Sequence, residues 1–220
     1  MAERTAEPPA LGQAEEEALF YHEAALNASW TGSRLALGSL SFLFGAFIFA
    51  FFYLKAINSH HLWYTAATHP SMGLGVTVMA LIVVSAVIQT LVLQAIKRGN
   101  KSAWVAGGTV ALVLGLAAIA VQLYQLADLG FWPGASGLAS VFVGYNPIFI
   151  AVSFSVLVWL EILIMRCRAI PPIAFVEQPP TFAEAFAVQR FQASLSAFTL
   201  TWNYLAVIAL VAWVLFYLVH

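Results

Sequence analysis

The sequence predicts an all-α protein that threads a lipid bilayer as a bundle of five helices, and three observations predict it. Of the 220 residues, 62% are hydrophobic and only 9% are charged, whereas soluble domains carry about 25% charged residues. The apolar residues are gathered into five long runs. The cations fall at alternate breaks between those runs. A sphere of this composition has too few polar groups to cover a water-facing surface, so lipid is the expected outer solvent.

Residues 1–33 differ from the rest and read as an acidic, solvated tail on the cytoplasmic side. Glu3, Glu7, Glu15, Glu16, Glu17 and Glu23 face only Arg4 there, and Pro8 and Pro9 break any early helix. A helix from Gln13 to Ala28 fits the remainder. An acidic first stretch lacks the basic start of a cleavable signal peptide.

The membrane domain is expected over 34–220. Its uncharged or nearly uncharged runs are Leu35–Leu54, Ser71–Ile96, Ser102–Ala127, Leu138–Arg166 and Thr199–Val219. Each reaches the ~20 residues that a spanning helix needs. Alternating short segments of the β-barrel kind are absent, and backbone groups in lipid must bond within their own segment. Allowing for flanking residues, the helices are predicted at about 35–57, 71–97, 102–127, 138–166 and 194–219.

The connections carry their own signals. Lys97-Arg98-Gly99-Asn100-Lys101 is a tight polar turn that makes a hairpin of the second and third helices. Asp128 opens an interfacial loop in which Phe131 and Trp132 suit the headgroup level. The stretch Cys167–Gln192 holds Pro171, Pro172, Pro179 and Pro180, so its first half is expected to be extended.

Five spans put Arg4, Arg34, Lys97, Arg98, Lys101, Arg166, Arg168 and Arg190 on one side and only Lys55 on the other. The positive-inside rule then makes the N-terminus cytoplasmic and leaves the C-terminus, with His220, outside. Net charge is −1, which supports no nucleic-acid partner, and the single cysteine, Cys167, excludes an internal disulfide.

Nothing in the runs reads as catalytic. Haem sites in membrane bundles need His or Met at facing depths, and none of the five histidines lies within a run. His60, His61 and His69 share the loop after the first helix; polar anchoring is the plain reading and a metal site the sharper one. Two acids are candidates for intramembrane charge: Asp128 sits at the end of helix three and reads as wet, and Glu161, five residues before Arg166, lies near the cytoplasmic end of helix four. Pairing with a nearby cation, snorkelling and a proton relay are all open to Glu161. Gln89 and Gln94 on the second helix, Gln122 and Gln125 on the third and Asn203 on the fifth are expected to bond across helices. Gly107, Ala111 and Gly115 repeat at spacing four and predict a face of close helix approach, as do Ser41 with Gly45 and Ala46 with Ala50. Helix one is rich in phenylalanine all round, so some rings must face lipid or another subunit.

Several stretches in order resemble subunit III of the haem-copper oxygen reductases, the cytochrome c oxidase family, in its short five-helix bacterial form. Leu40–Leu54 (LSFLFGAFIFAFFYL) is similar to the FFAGFFWAFY-type helix. Thr77–Lys101 looks like the family's hairpin arm with its short basic turn. Leu112–Phe131 (LVLGLAAIAVQLYQLADLGF) resembles LLGLxFxxLQxxEY. Ser136–Gly144 (SGLASVFVG) is similar to DGxYGSxFF, and Trp202–Leu218 (WNYLAVIALVAWVLFYL) to the closing WHFVDVVWLxLFxxxYL. The likeness covers residues 34 to 219.

The departures are systematic. The acid of the family's T-S-E pattern falls near Leu40, the LQxxEY acid is Gln125, the GFHGLHV histidines are missing from Tyr145–Ile150, and the WHFVD pair becomes Asn203 and Ala206. The roles of those acids therefore do not carry over.

The resemblance implies a non-redox accessory subunit of an aerobic terminal oxidase in the bacterial inner membrane. Haem and copper would sit in partner subunits, subunit I above all, and phospholipid would be bound. A subunit III-like component of a nitric oxide reductase or other respiratory complex is the neighbouring alternative. A small transporter is the distant one, since five spans do not divide into two repeats and only Pro147 interrupts a helix.

Overall fold

The computed structural model describes residues 12–58, 62–65, 68–175 and 182–219. Five α-helices account for nearly all of them: α1 Gln13–Ala56, α2 Met72–Lys97, α3 Lys101–Ala127, α4 Gly137–Ala169 and α5 Phe182–Tyr217. Each contains a stretch long and apolar enough to cross a membrane, and the described residues contain no strand. The chain is a multi-pass, all-helical membrane protein.

Helix ends are set by local chemistry. Helix α2 closes in a Schellman motif: Asn100 N–H bonds Ala95 O at 3.0 Å and Gly99 N–H bonds Ile96 O at 2.9 Å. That turn needs φ of 81° at Gly99, a conformation open to glycine. Asn100 then caps α3 by accepting from Ala103 N–H at 3.0 Å. Ser136 does the same for α4 through Ala139 N–H, also at 3.0 Å. The carbonyls of Leu62 and Trp63 take two more of α4's free N–H groups, those of Gly137 and Leu138.

α1 differs most from expectation. Residues 13–33 are not a separate tail but the first half of one 44-residue helix. At 1.5 Å per residue it runs about 66 Å, twice a ~30 Å hydrocarbon core. Helix α5 is longer than expected too, starting at Phe182 rather than near 194. The two lie parallel in constant register. His22 meets Phe186 ring to ring at 4.4 Å. Ser33 Oγ donates to Ala197 O at 3.1 Å and lies 2.7 Å from Thr201 Oγ1. Ser41 Oγ lies 3.0 Å from Tyr204 Oη, and Lys55 Nζ donates to Val219 O. The partners from Ser33 onward are 163 to 168 residues apart. Each extension gives the other a partner, so neither frays into a loop.

The connection before α5 is correspondingly shorter than expected. Its start is extended only at Ile170, after which Pro172–Phe175 forms a single 3-10 turn. Residues 176–181, with Pro179 and Pro180, lie outside the described set. Of the two aromatics assigned to the α3–α4 loop surface, Trp132 is 80% exposed, but Phe131 turns inward against Phe142.

α5 is the central helix, packing on α1, α2 and α4, while α3 packs on α2 and α4. In α5's most apolar stretch 44% of residues are buried, against 11% in α1's. α1 is therefore the outermost helix: Phe44 and Phe51 face inward, while Phe42 is 85% exposed and Phe49 69%. Of the small residues expected to mark close approach on α1, Ser41 meets Tyr204 and Ala50 packs on the core, whereas Gly45 stays open, since a Cβ there would meet nothing within 4 Å.

The two ends of the bundle separate the cations. Lys101 Nζ donates to Arg168 O at 3.1 Å and to Ile170 O, so the α2–α3 turn and the end of α4 share one end. Lys55 lies with the C-terminus of α5 at the other.

Candidate functional site

The polar side chains buried inside an apolar bundle mark where this protein spends polarity, and they concentrate between α2, α3, α4 and α5. Gln122 and Gln125 stand one turn apart on α3 and both are buried. Gln122 Nε2 donates to Asn146 Oδ1 on α4 at 2.6 Å, and Asn146 Nδ2 donates to Phe142 O at 2.8 Å. Gln125 Nε2 donates to Tyr217 Oη on α5 at 2.7 Å and to Ser71 O before α2 at 3.3 Å. One polar face of α3 thus reaches α4, α5 and the residue that precedes α2.

Close approach makes this possible. A Cβ on Gly75 would lie 2.2 Å from Tyr217 Cζ, so only glycine leaves room for that ring on α2. The small residues of α3 act similarly, though on more than one partner. A Cβ on Gly107 would meet Val92 of α2 at 2.2 Å, and one on Gly115 would meet Leu157 of α4 at 2.6 Å. Ala111, between them, is fully buried. Steps of four residues advance a helix by about 40° beyond a full turn, which carries the stripe from one neighbour to the next.

A second polar contact lies deeper. Trp202 Nε1 on α5 donates to Ser85 Oγ on α2 at 3.1 Å, and Ser85 Oγ donates to Ala111 O on α3 at 2.8 Å. Asn203 exchanges bonds with Thr90 of α2 at 3.1 and 3.2 Å. Gln89 is buried, yet neither of its amide atoms has a partner among the described residues. Gln94 is exposed.

Glu161 stands apart from all of this. It is half-buried on α4 and makes no hydrogen bond or ion pair with a described residue. His69 lies in the α1–α2 loop beside Tyr64, ring centroids 5.9 Å apart. His60 and His61 lie outside the described residues. Among the described residues, no three His, Cys, Asp or Glu side chains come together as a metal-holding group.

Sequence reading picked out Gln122 and Gln125 but not the residues around them. Asn146, Tyr145, Tyr217 and Gly75 are ordinary members of apolar runs by composition. Asn146 directly before Pro147 was the available signal: an amide beside a helix-interrupting proline, at a depth where a free polar group is costly.

The polar cluster has hydrogen-bonding chemistry but no nucleophile–base pair and no charged side chain. No protein-family model matches the chain, and no curated protein sequence matches it either.

Proposed function

We propose that this chain is a non-redox accessory subunit, of the subunit III kind, in a haem-copper terminal oxidase of the bacterial inner membrane. The observation that carries the reading is the ordered likeness of five stretches between Leu40 and Leu218 to that family's helices. Its place in a larger assembly is supported by α1, whose outward phenylalanines Phe42 and Phe49 and open Gly45 find no cover among the described residues. Exposed rings on a lipid-facing helix are tolerated singly; a helix so little buried is suited to packing on a catalytic partner.

Orientation follows the cations. Arg34, Lys97, Arg98, Lys101, Arg166, Arg168 and Arg190 belong to the end that we assign to the cytoplasm, and Lys55 to the outer end. Phospholipid binding fits a cavity of about 330 Å³ at the cytoplasmic end, between α4 and α5. Arg166 and Arg190 line it beside Leu163, Phe186 and Phe191, giving cationic groups for a phosphate and apolar walls for acyl chains.

The test is purification of the native complex in mild detergent from membranes carrying the tagged chain. The expected result is co-purification with a haem- and copper-containing subunit I and a terminal-oxidase absorption spectrum. A native complex without haem overturns the proposal.

A further inference from the structure

The polar cluster borders a cavity of about 40 Å³, walled by α2, α3, α4 and α5. Three polar atoms on its wall have no partner among the described residues: Gln122 Oε1, Tyr145 Oη and Trp213 Nε1. Gln122 is 4% exposed and Tyr145 6%, so neither can turn to bulk solvent. Asn146, on the same wall, lies nine residues into α4 from Gly137, or roughly 14 Å along the helix. Gln122, its partner, lies five residues before the end of α3, and Gly75 and Tyr217 on the same wall sit in terminal turns of α2 and α5, so the cavity lies in the outer half of the bundle.

A buried polar atom left without a partner is costly, and hydrocarbon makes it costlier still. Three such atoms around one void point to an occupant that both donates and accepts. Size limits it: at ~10–15 Å³ of this kind of volume per molecule, the cavity takes about three waters. Charge limits it too, because no side chain lining the void is charged and an ion there would be unpaired. An acyl chain would satisfy none of the three atoms.

The geometry points to a bound cluster of water molecules in this cavity. A water donates to Gln122 Oε1, a water accepts from Trp213 Nε1, and Tyr145 Oη does either. With the bonds already made by Gln122, Asn146, Gln125 and Tyr217, the cluster forms a polar island reaching inward from Ser71 at the outer end to Asn146. The ligand is neutral and water-sized, and bridging of this kind is enthalpically close to a direct hydrogen bond. This inference depends on the helices lying in a membrane, not on the identity of the complex.

Pulsed hydroxyl-radical labelling of the full chain in lipid nanodiscs tests it, because a radical formed from a bound water oxidises the aromatic ring beside it. Tyr145 should be oxidised although buried. Trp202, also buried but bonded directly to Ser85, should stay unlabelled and also reports any unfolding. Gln122→Leu should remove the Tyr145 label while Trp202 stays protected. Ala212→Leu, which fills the void from α5, should do the same by another route. Should the first variant unfold, the second decides alone. A wild-type Tyr145 as unreactive as Trp202, or a label that persists in a folded cavity-filled variant, overturns the inference.

Discussion

Substitution of Gly75 by alanine puts the close packing of α2 on α5 to the sharpest test. The added methyl would fall 2.2 Å from Tyr217 Cζ and 2.5 Å from its hydroxyl oxygen, far inside van der Waals contact. The ring must swing away, and its hydrogen bond from Gln125 at 2.7 Å goes with it. Overpacking costs about 1–3 kcal/mol, and an interhelical hydrogen bond in a membrane about 0.6–1.7. Alanine's better helix propensity returns about 0.5–1 kcal/mol. The net expectation is destabilisation by about 1–4 kcal/mol. Unfolding by SDS in mixed micelles, followed by far-UV circular dichroism, reads it. The discriminating arm is the same change in a Tyr217→Ala background. With the ring gone only the propensity term remains, so Gly75→Ala should then stabilise by about 0.5–1 kcal/mol. An equal cost in both backgrounds, or a neutral effect in the wild type, refutes the reasoning.

Ser85→Ala strands Trp202 Nε1 and should cost about 1–3 kcal/mol in the same assay, whereas Ser39→Ala, on the exposed side of α1, should change little. Gly115→Ala presses on Leu157 of α4 at 2.6 Å and should cost about 1–3 kcal/mol, relieved when Leu157 is also shortened to Ala. With Cys167 first replaced by alanine, single cysteines at Lys101 and Arg168 should label from one face of the membrane and a cysteine at Lys55 from the other; labelling of Lys101 and Arg168 from opposite faces would contradict the shared end of the bundle.

The fold was most legible where a local device does the work. The basic turn from Lys97 to Lys101 declares itself through Gly99 and Asn100, and its hydrogen bonds are satisfied within six residues. The start of α5 was not legible, and although a helix from Gln13 was, its continuity with the first span was not. What joins the N-terminal helix to the first span and lengthens α5 is mutual pairing, His22 with Phe186 and Ser33 with Ala197, each pair 164 residues apart. The same limit applies to the polar site. Gln122 and Gln125 stand out because amides are rare in apolar runs. Tyr217 and Tyr145 do not, because a tyrosine in a membrane helix is equally at home facing lipid. Gly75 resembles Gly45 in sequence; only the ring lying across one of them separates a packing position from an open one.

The parallel pairing of the first and last helices has a consequence for how the protein is made. Ser33 cannot meet Ala197 until the ribosome has added the intervening 164 residues, which takes about 8–33 s at 5–20 residues per second. For that interval α1 sits in the bilayer without its chief companion. Biogenesis thus contains an obligatory waiting period, and whatever shelters the nascent first helix during it, be it lipid, insertion machinery or an already assembled subunit, has prior access to the face that α5 finally claims.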